Sequence, residues 1–106
     1  MHTKRNLFES IPASLAGEWA ERLAGDAGAR VERIVSRGHA SPPDFWYDQD
    51  ESEWVMVVKG SAKIRFDDGR VVELGAGDHI TIAPHQRHRV DWTAPGEDTV
   101  WVAIYF

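Results

Sequence analysis

Cysteine is absent from the 106-residue chain. Disulfide scaffolding, zinc ribbons and thiol catalysis are therefore excluded. Positive charge is scarce as well: 12 Lys and Arg stand against 17 Asp and Glu, for a formal net charge of -5. With no basic stripe, a nucleic-acid partner is not expected. No run of 18 apolar residues occurs, so a helical membrane span and a membrane partner are not expected. The first ten residues, MHTKRNLFES, carry Lys4 and Arg5 without an apolar run behind them. An ordinary secretory signal is therefore not expected, and a cytoplasmic location is. Repeats, low-complexity tracts and linkers are also missing. What is present is an apolar fraction of 42% and five tryptophans, Trp19, Trp46, Trp54, Trp92 and Trp101. That composition suits one packed domain of modest core.

The spacing of apolar residues predicts one helix, within residues 7–25. Ser10 can cap it, Pro12 lies just inside, Leu15, Trp19 and Leu23 recur at i, i+4 and i+8, and Gly25 can end it. On this reading residues 1–30 form an N-terminal helical segment laid on a sheet, and residues 31–106 form the β domain. His2 is expected in a loose terminus. From residue 30 the period becomes two. RVERIVS, EWVMVVK, SAKIRF, VVEL, HITI, HRVDWT and TVWVAIYF read as short strands separated by glycine turns and by the Pro-containing loop HASPPDF. This predicts an all-β antiparallel sandwich or barrel. Its inner face is expected to hold Val55, Val57, Ala62, Ile64, Phe66, Val72, Leu74, Ile80, Ile82, Val90 and Trp92. Glu53 shares the parity of Val55 and Val57, so a carboxylate faces the core and requires a partner there.

Two stretches resemble the signature motifs of the cupin superfamily. In EWVMVVKG, Glu53 is followed after six residues by Gly60; in GDHITIAPHQRH, Gly77 and Asp78 are followed by His88, eleven residues after Gly77. The resemblance covers residues 31–105 and implies a single-domain cupin-type jelly-roll β-barrel. It leaves the reaction open, because cupins include dioxygenases, isomerases, decarboxylases, sugar-nucleotide epimerases and non-catalytic binders. The sequence departs from the family at WYDQDESEW, residues 46–54. Where metal-binding cupins carry His-x-His, this chain has Trp46 and Asp48, or Tyr47 and Gln49, depending on the spacing counted back from Glu53. His85 stands where a glycine is typical.

The resemblance implies a divalent metal ion, Fe, Mn, Ni or Zn, at the barrel mouth. Glu53 and His88 occupy ligand positions, Gln49 is the third candidate with Asp48 as its substitute, and His85 is the fourth. Asp50 and Glu51 read as a solvated rim. Trp46, Tyr47, Trp54 and Phe66 are candidates for a small-molecule pocket. Three functions are compatible with these residues: a metal-dependent oxygenase or isomerase, a metal-free binding module, and a metal-free acid–base catalyst of isomerase or epimerase type using His88 and Glu53. A small-molecule ligand is expected in each. A homodimer is expected by resemblance, and because an apolar strand such as TVWVAIYF would be hazardous as a bare edge.

Overall fold

The computed structural model describes residues 4–106. His2 lies outside the described residues. Eight strands follow in chain order: β1 (Trp19–Gly25), β2 (Arg30–Ser36), β3 (Glu53–Lys59), β4 (Ser61–Phe66), β5 (Val71–Gly75), β6 (His79–Ile82), β7 (His88–Thr93) and β8 (Thr99–Tyr105). They form a five-stranded sheet in the order β1-β2-β8-β3-β6 and a three-stranded sheet in the order β5-β4-β7. All the pairings within these sheets are antiparallel. The two sheets face each other without closing into one continuous barrel, giving a jelly-roll sandwich.

The expected N-terminal helix is not formed; no helix occurs among the described residues. Trp19–Gly25 instead pairs with β2, from Trp19 opposite Val35 to Gly25 opposite Arg30. The i, i+4, i+8 spacing of Leu15, Trp19 and Leu23 is the cause of the misreading, since those positions share a face in a strand as well as in a helix. A helix would also require apolar residues at i+3, where the chain has Glu18 and Arg22. Ser10, expected as a cap, lies in a turn with φ of 55°. The segment before β1 nonetheless covers a sheet face. On the side of β2 opposite Ile34, the Arg33 side chain is fully buried. It donates to the Leu7 and Glu9 carbonyls at 2.9 and 2.6 Å and to Glu21 at 3.1 Å, and it lies 5.0 Å from the Trp19 ring. These bonds tie residues 7–9 down, and Arg37 ties Pro12 and Ala13 in the same way.

Between the sheets the core holds Ile34, Val55, Val57, Ile82, Trp101 and Ala103 from one side and Ala62, Ile64, Phe66, Leu74 and Val90 from the other. Each fully buried Val, Ile or Leu contributes about 1.5–3 kcal/mol relative to exposure. Val72 and Ile80 pack at the margin of this core. Trp92 does not belong to it. A bulge in β7 pairs Lys63 with Trp92 but Ile64 with Val90, so one residue is skipped and the parity reverses. Thr93 turns inward, and Trp92 is 39% exposed with the Lys63 ammonium over its ring. The edge-strand argument for a homodimer also fails in its premise, because β8 is an interior strand hydrogen-bonded to β2 and β3. No helix among the described residues is long and apolar enough to cross a membrane.

Candidate functional site

A cavity of ≈ 50 Å³ opens between the sheets at the end of the sandwich where β3, β7 and β8 meet the loop 46–52. Its polar lining comes from Glu18, Tyr47, Gln49, Glu53, His88 and Tyr105, and its floor from core residues including Val55, Ile64 and Trp101. A volume of this size holds a few waters or one end of a small molecule.

Strand parity places Glu53 here. It is the first residue of β3, in phase with Val55 and Val57, and is 6% exposed. Gln49 Nε2 donates to its Oε1 at 3.1 Å, and His88 Nε2 stands 3.5 Å from the same oxygen. Arg65, Arg87 and Arg89 are engaged elsewhere: Arg65 and Arg89 both pair with Asp91, and Arg87 and Arg89 lie over the Trp46 ring. His88 opens β7 and is 4% exposed. Its Nδ1 lies 2.8 Å from the Gln86 carbonyl oxygen. That oxygen can only accept, so Nδ1 carries hydrogen and Nε2 is left to accept or deliver a proton. Tyr47 is bridged to His88 through backbone hydrogen bonds in both directions, and the two rings stack at 5.3 Å.

The same backbone pairing sorts the acidic loop. With Tyr47 facing inward, Gln49 follows it into the cavity and Asp48 turns outward. Asp48 meets the exposed His85, Oδ1 to Nδ1 at 2.7 Å, and Asp50 reaches the same ring at 3.3 Å. Glu51 pairs with Arg30 at 2.7 Å. Of the four proposed metal ligands the fold thus brings together Glu53, His88 and Gln49; the fourth, His85, faces solvent, paired with Asp48, the substitute for Gln49. Among the proposed pocket residues, Tyr47 lines the cavity. Trp54 points to the opposite face of β3 and packs on His79, Trp46 lies under Arg87 and Arg89, and Phe66 is a buried core residue 6.2 Å from the His88 ring. His39 accepts from the Arg37 amide, and Asp78 accepts from the Gly75 amide within its turn.

Resident divalent ions take at least three protein donors from imidazole, thiolate and carboxylate groups. Among the described residues no three His, Asp or Glu side chains are gathered for such a site. Gln49 turns its amide nitrogen, a donor, toward Glu53. The donor set does not fit the family's metal. We expect elemental analysis of untagged protein to find well under one Fe, Mn, Ni or Zn per chain; a stoichiometric ion lost on replacing Glu53 or His88 would reverse that conclusion.

Two cavity residues escaped the sequence reading. Glu18 sat inside the supposed helix. Tyr105 shares parity with Trp101 and Ala103 on β8, a signal that was available. Glu18 stays exposed at the rim, yet enough protein crowds its carboxyl that desolvation, and next the Glu53 charge, raise its pKa. Burial, followed by the Glu18 and Glu53 charges, pushes the Tyr47 phenol up to about 12. Burial, with Glu53 first among the charges, raises Tyr105 further. Both phenols remain hydrogen-bond donors at neutral pH.

The outer pair supplies a pH signature. His85 is raised above its ordinary 6.5, chiefly by the hydrogen bond to Asp48 and then by the charges of Asp48 and Asp50. A raised folded-state pKa makes the charged pair stabilising below the unfolded value, and the benefit is lost as pH rises through the folded value. The pair is exposed, so the effect on stability is small. In an NMR titration the His85 ring is expected to titrate above the ordinary value and to fall toward it in Asp48→Asn, where Asp50 remains.

Comparisons agree with this architecture. A family model described as Cupin domain matches residues 32–105. A protein of Ralstonia eutropha JMP134, provisionally named a mannose-6-phosphate isomerase, is 43% identical with a TM-score of 0.92, over 98% of this chain and 97% of that one. An RmlC-like cupin protein from Desulfovibrio desulfuricans is 16% identical with a TM-score of 0.74, over 99% and 97% of the two chains. A cupin superfamily protein from Desulfitobacterium hafniense DCB-2 is also 16% identical with a TM-score of 0.74, over 91% and 83%. The last two likenesses show the fold alone. No curated protein matches the chain. With Glu53 and His88 converging from the two motifs, and the family model spanning β2 to β8, the chain belongs to the cupin family.

Proposed function

We propose that this cupin binds a small molecule in the cavity and moves protons on it, as an isomerase-type catalyst that works through Glu53 and His88. The observation that carries the reading is the convergence of His88 Nε2 and Glu53 Oε1, two buried side chains 3.5 Å apart in the lining of one cavity. The name borne by the R. eutropha relative supports the same class of reaction.

The chemistry follows from the roles the atoms can take. His88 Nε2, its ring held by the Gln86 carbonyl, accepts the proton of a C–H next to a carbonyl. The C–H electron pair becomes a C=C bond, and the carbonyl π pair moves to oxygen, where the Tyr47 phenol donates a hydrogen bond. Nε2 returns the proton to the neighbouring carbon, and the Glu53 carboxyl carries the hydroxyl proton from one oxygen to the other. The product is an isomer, with no atom gained or lost. Gln49 keeps Glu53 oriented. Incubation of the protein in D₂O with α-hydroxy carbonyl compounds tests this directly. We expect solvent deuterium to appear at the exchanged carbon in the NMR spectrum. A ligand that perturbs the His88 resonance without any exchange would leave a binding module and remove the catalyst.

A further inference from the structure

The charge of the cavity bears on the kind of molecule it takes. No Lys or Arg lines it, while two carboxylates do, Glu18 at the rim and Glu53 inside. Glu53 is engaged by Gln49 and faces His88. Among the described residues no hydrogen bond and no opposite charge acts on Glu18. Glu18 lines the same cavity as Tyr47 and Tyr105. Outside the lining, the Arg30 guanidinium lies over the Tyr105 ring, 4.5 Å from its centroid. It is already held by Glu51 at 2.7 Å and Glu32 at 3.7 Å.

A phosphate ester entering this mouth would bring a dianion against two carboxylates with no Lys or Arg among the lining residues to receive it, and like charges desolvated together are strongly repelled. An ammonium group meets the opposite situation: a carboxylate at the rim of a cavity that two phenol rings also line, a combination that attracts organic cations. We infer that the ligand of this cavity is a small amine, its ammonium seated between Glu18, Tyr47 and Tyr105 and its reacting carbons directed at His88 and Glu53. The class named by the R. eutropha relative, a sugar phosphate, is the one this lining disfavours. The inference rests on the proposed binding role of the cavity and adds its charge selectivity. The small volume admits one end of such a molecule, the remainder staying at the open mouth.

A charge-matched series tests it: mannosamine, mannose and mannose 6-phosphate, titrated calorimetrically at constant ionic strength while the His88 ring resonances are followed by NMR. Mannosamine is expected to bind at least tenfold more tightly than mannose, and mannose 6-phosphate no more tightly than mannose. Glu18→Gln is expected to remove the preference for the amine, with the far-ultraviolet circular dichroism unchanged. Tighter binding of mannose 6-phosphate, or an amine preference that survives Glu18→Gln, overturns the inference. If the phosphate or the neutral sugar binds preferentially and shifts His88, the cavity remains the ligand site and only the charge assignment falls. If none of the three moves the His88 resonances, both the assignment and the binding role fall.

Discussion

His88→Ala and Glu53→Gln are each expected to slow proton exchange on the ligand by about 10²–10⁴-fold, the range a positioned acid or base supplies. The two groups act in the same isomerisation, His88 on the carbon-bound proton and Glu53 on the hydroxyl proton, so their effects should not multiply. The double variant is expected to be no slower than the worse single variant by more than a few-fold. Folding should survive both changes. Glu53 is a buried carboxylate held by one amide and an imidazole 3.5 Å away. Neutralising it removes a desolvation cost, and Glu53→Gln should melt at or above the wild-type temperature. Rates that multiply in the double variant would mean that the two residues act independently and that the pairing is structural. Full activity in His88→Ala would end the acid–base reading.

Gly60→Ala is expected to damage the fold severely. Gly60 follows a bulge at the end of β3, where Val57 is opposite Trp101 but Lys59 is opposite Val100. Its φ is 90°, and a Cβ there would lie 2.5 Å from Thr99 Oγ1, 2.8 Å from Thr99 Cα and 3.0 Å from the Asp98 carbonyl oxygen. Thr99 is fully buried, and two of those three atoms are backbone, so the neighbours cannot simply rotate away. Strain and contact together should cost on the order of 3 kcal/mol or more. At roughly 4–8 °C per kcal/mol for a domain of this size, melting should fall by more than about 12 °C. Gly69→Ala is the control. Its φ of 92° is similar, but nothing lies within 4 Å of the added Cβ, so only the conformational cost of about 1 kcal/mol applies. Equal losses in the two variants would show that the Thr99 contact carries none of the effect. The contrast gives the spacing from Glu53 to Gly60 a physical meaning. The glutamate opens the strand at the cavity, and the glycine ends it where the chain must turn past Thr99.

Period-2 alternation was enough to find the seven strands after residue 30, because one face of each packs against the other sheet and a misplaced residue would be exposed. It was enough to turn Glu53 inward for the same reason. It failed at Trp92, since a one-residue bulge reverses parity and leaves no trace in composition. It failed at β1, since a four-residue spacing of apolar side chains satisfies helix and strand alike; pairing with β2 decided between them, and Glu18 was lost with the error. In WYDQDESEW the sequence left Asp48 and Gln49 as alternatives. The backbone bridge from Tyr47 to His88 turned Gln49 into the cavity and sent Asp48 to His85.

The sequence by itself determined the period of its strands, and the resemblance of its two motifs to the cupin superfamily implied the family and a shared site for Glu53 and His88. Tertiary structure alone decided which donors meet. Glu18, Gln49 and Tyr105 come from distant segments, and His85 is three residues from His88 yet faces away. Spacing records the face of one strand, whereas a cavity is made where several strands and a loop converge, and its charge is the sum of what each happens to contribute.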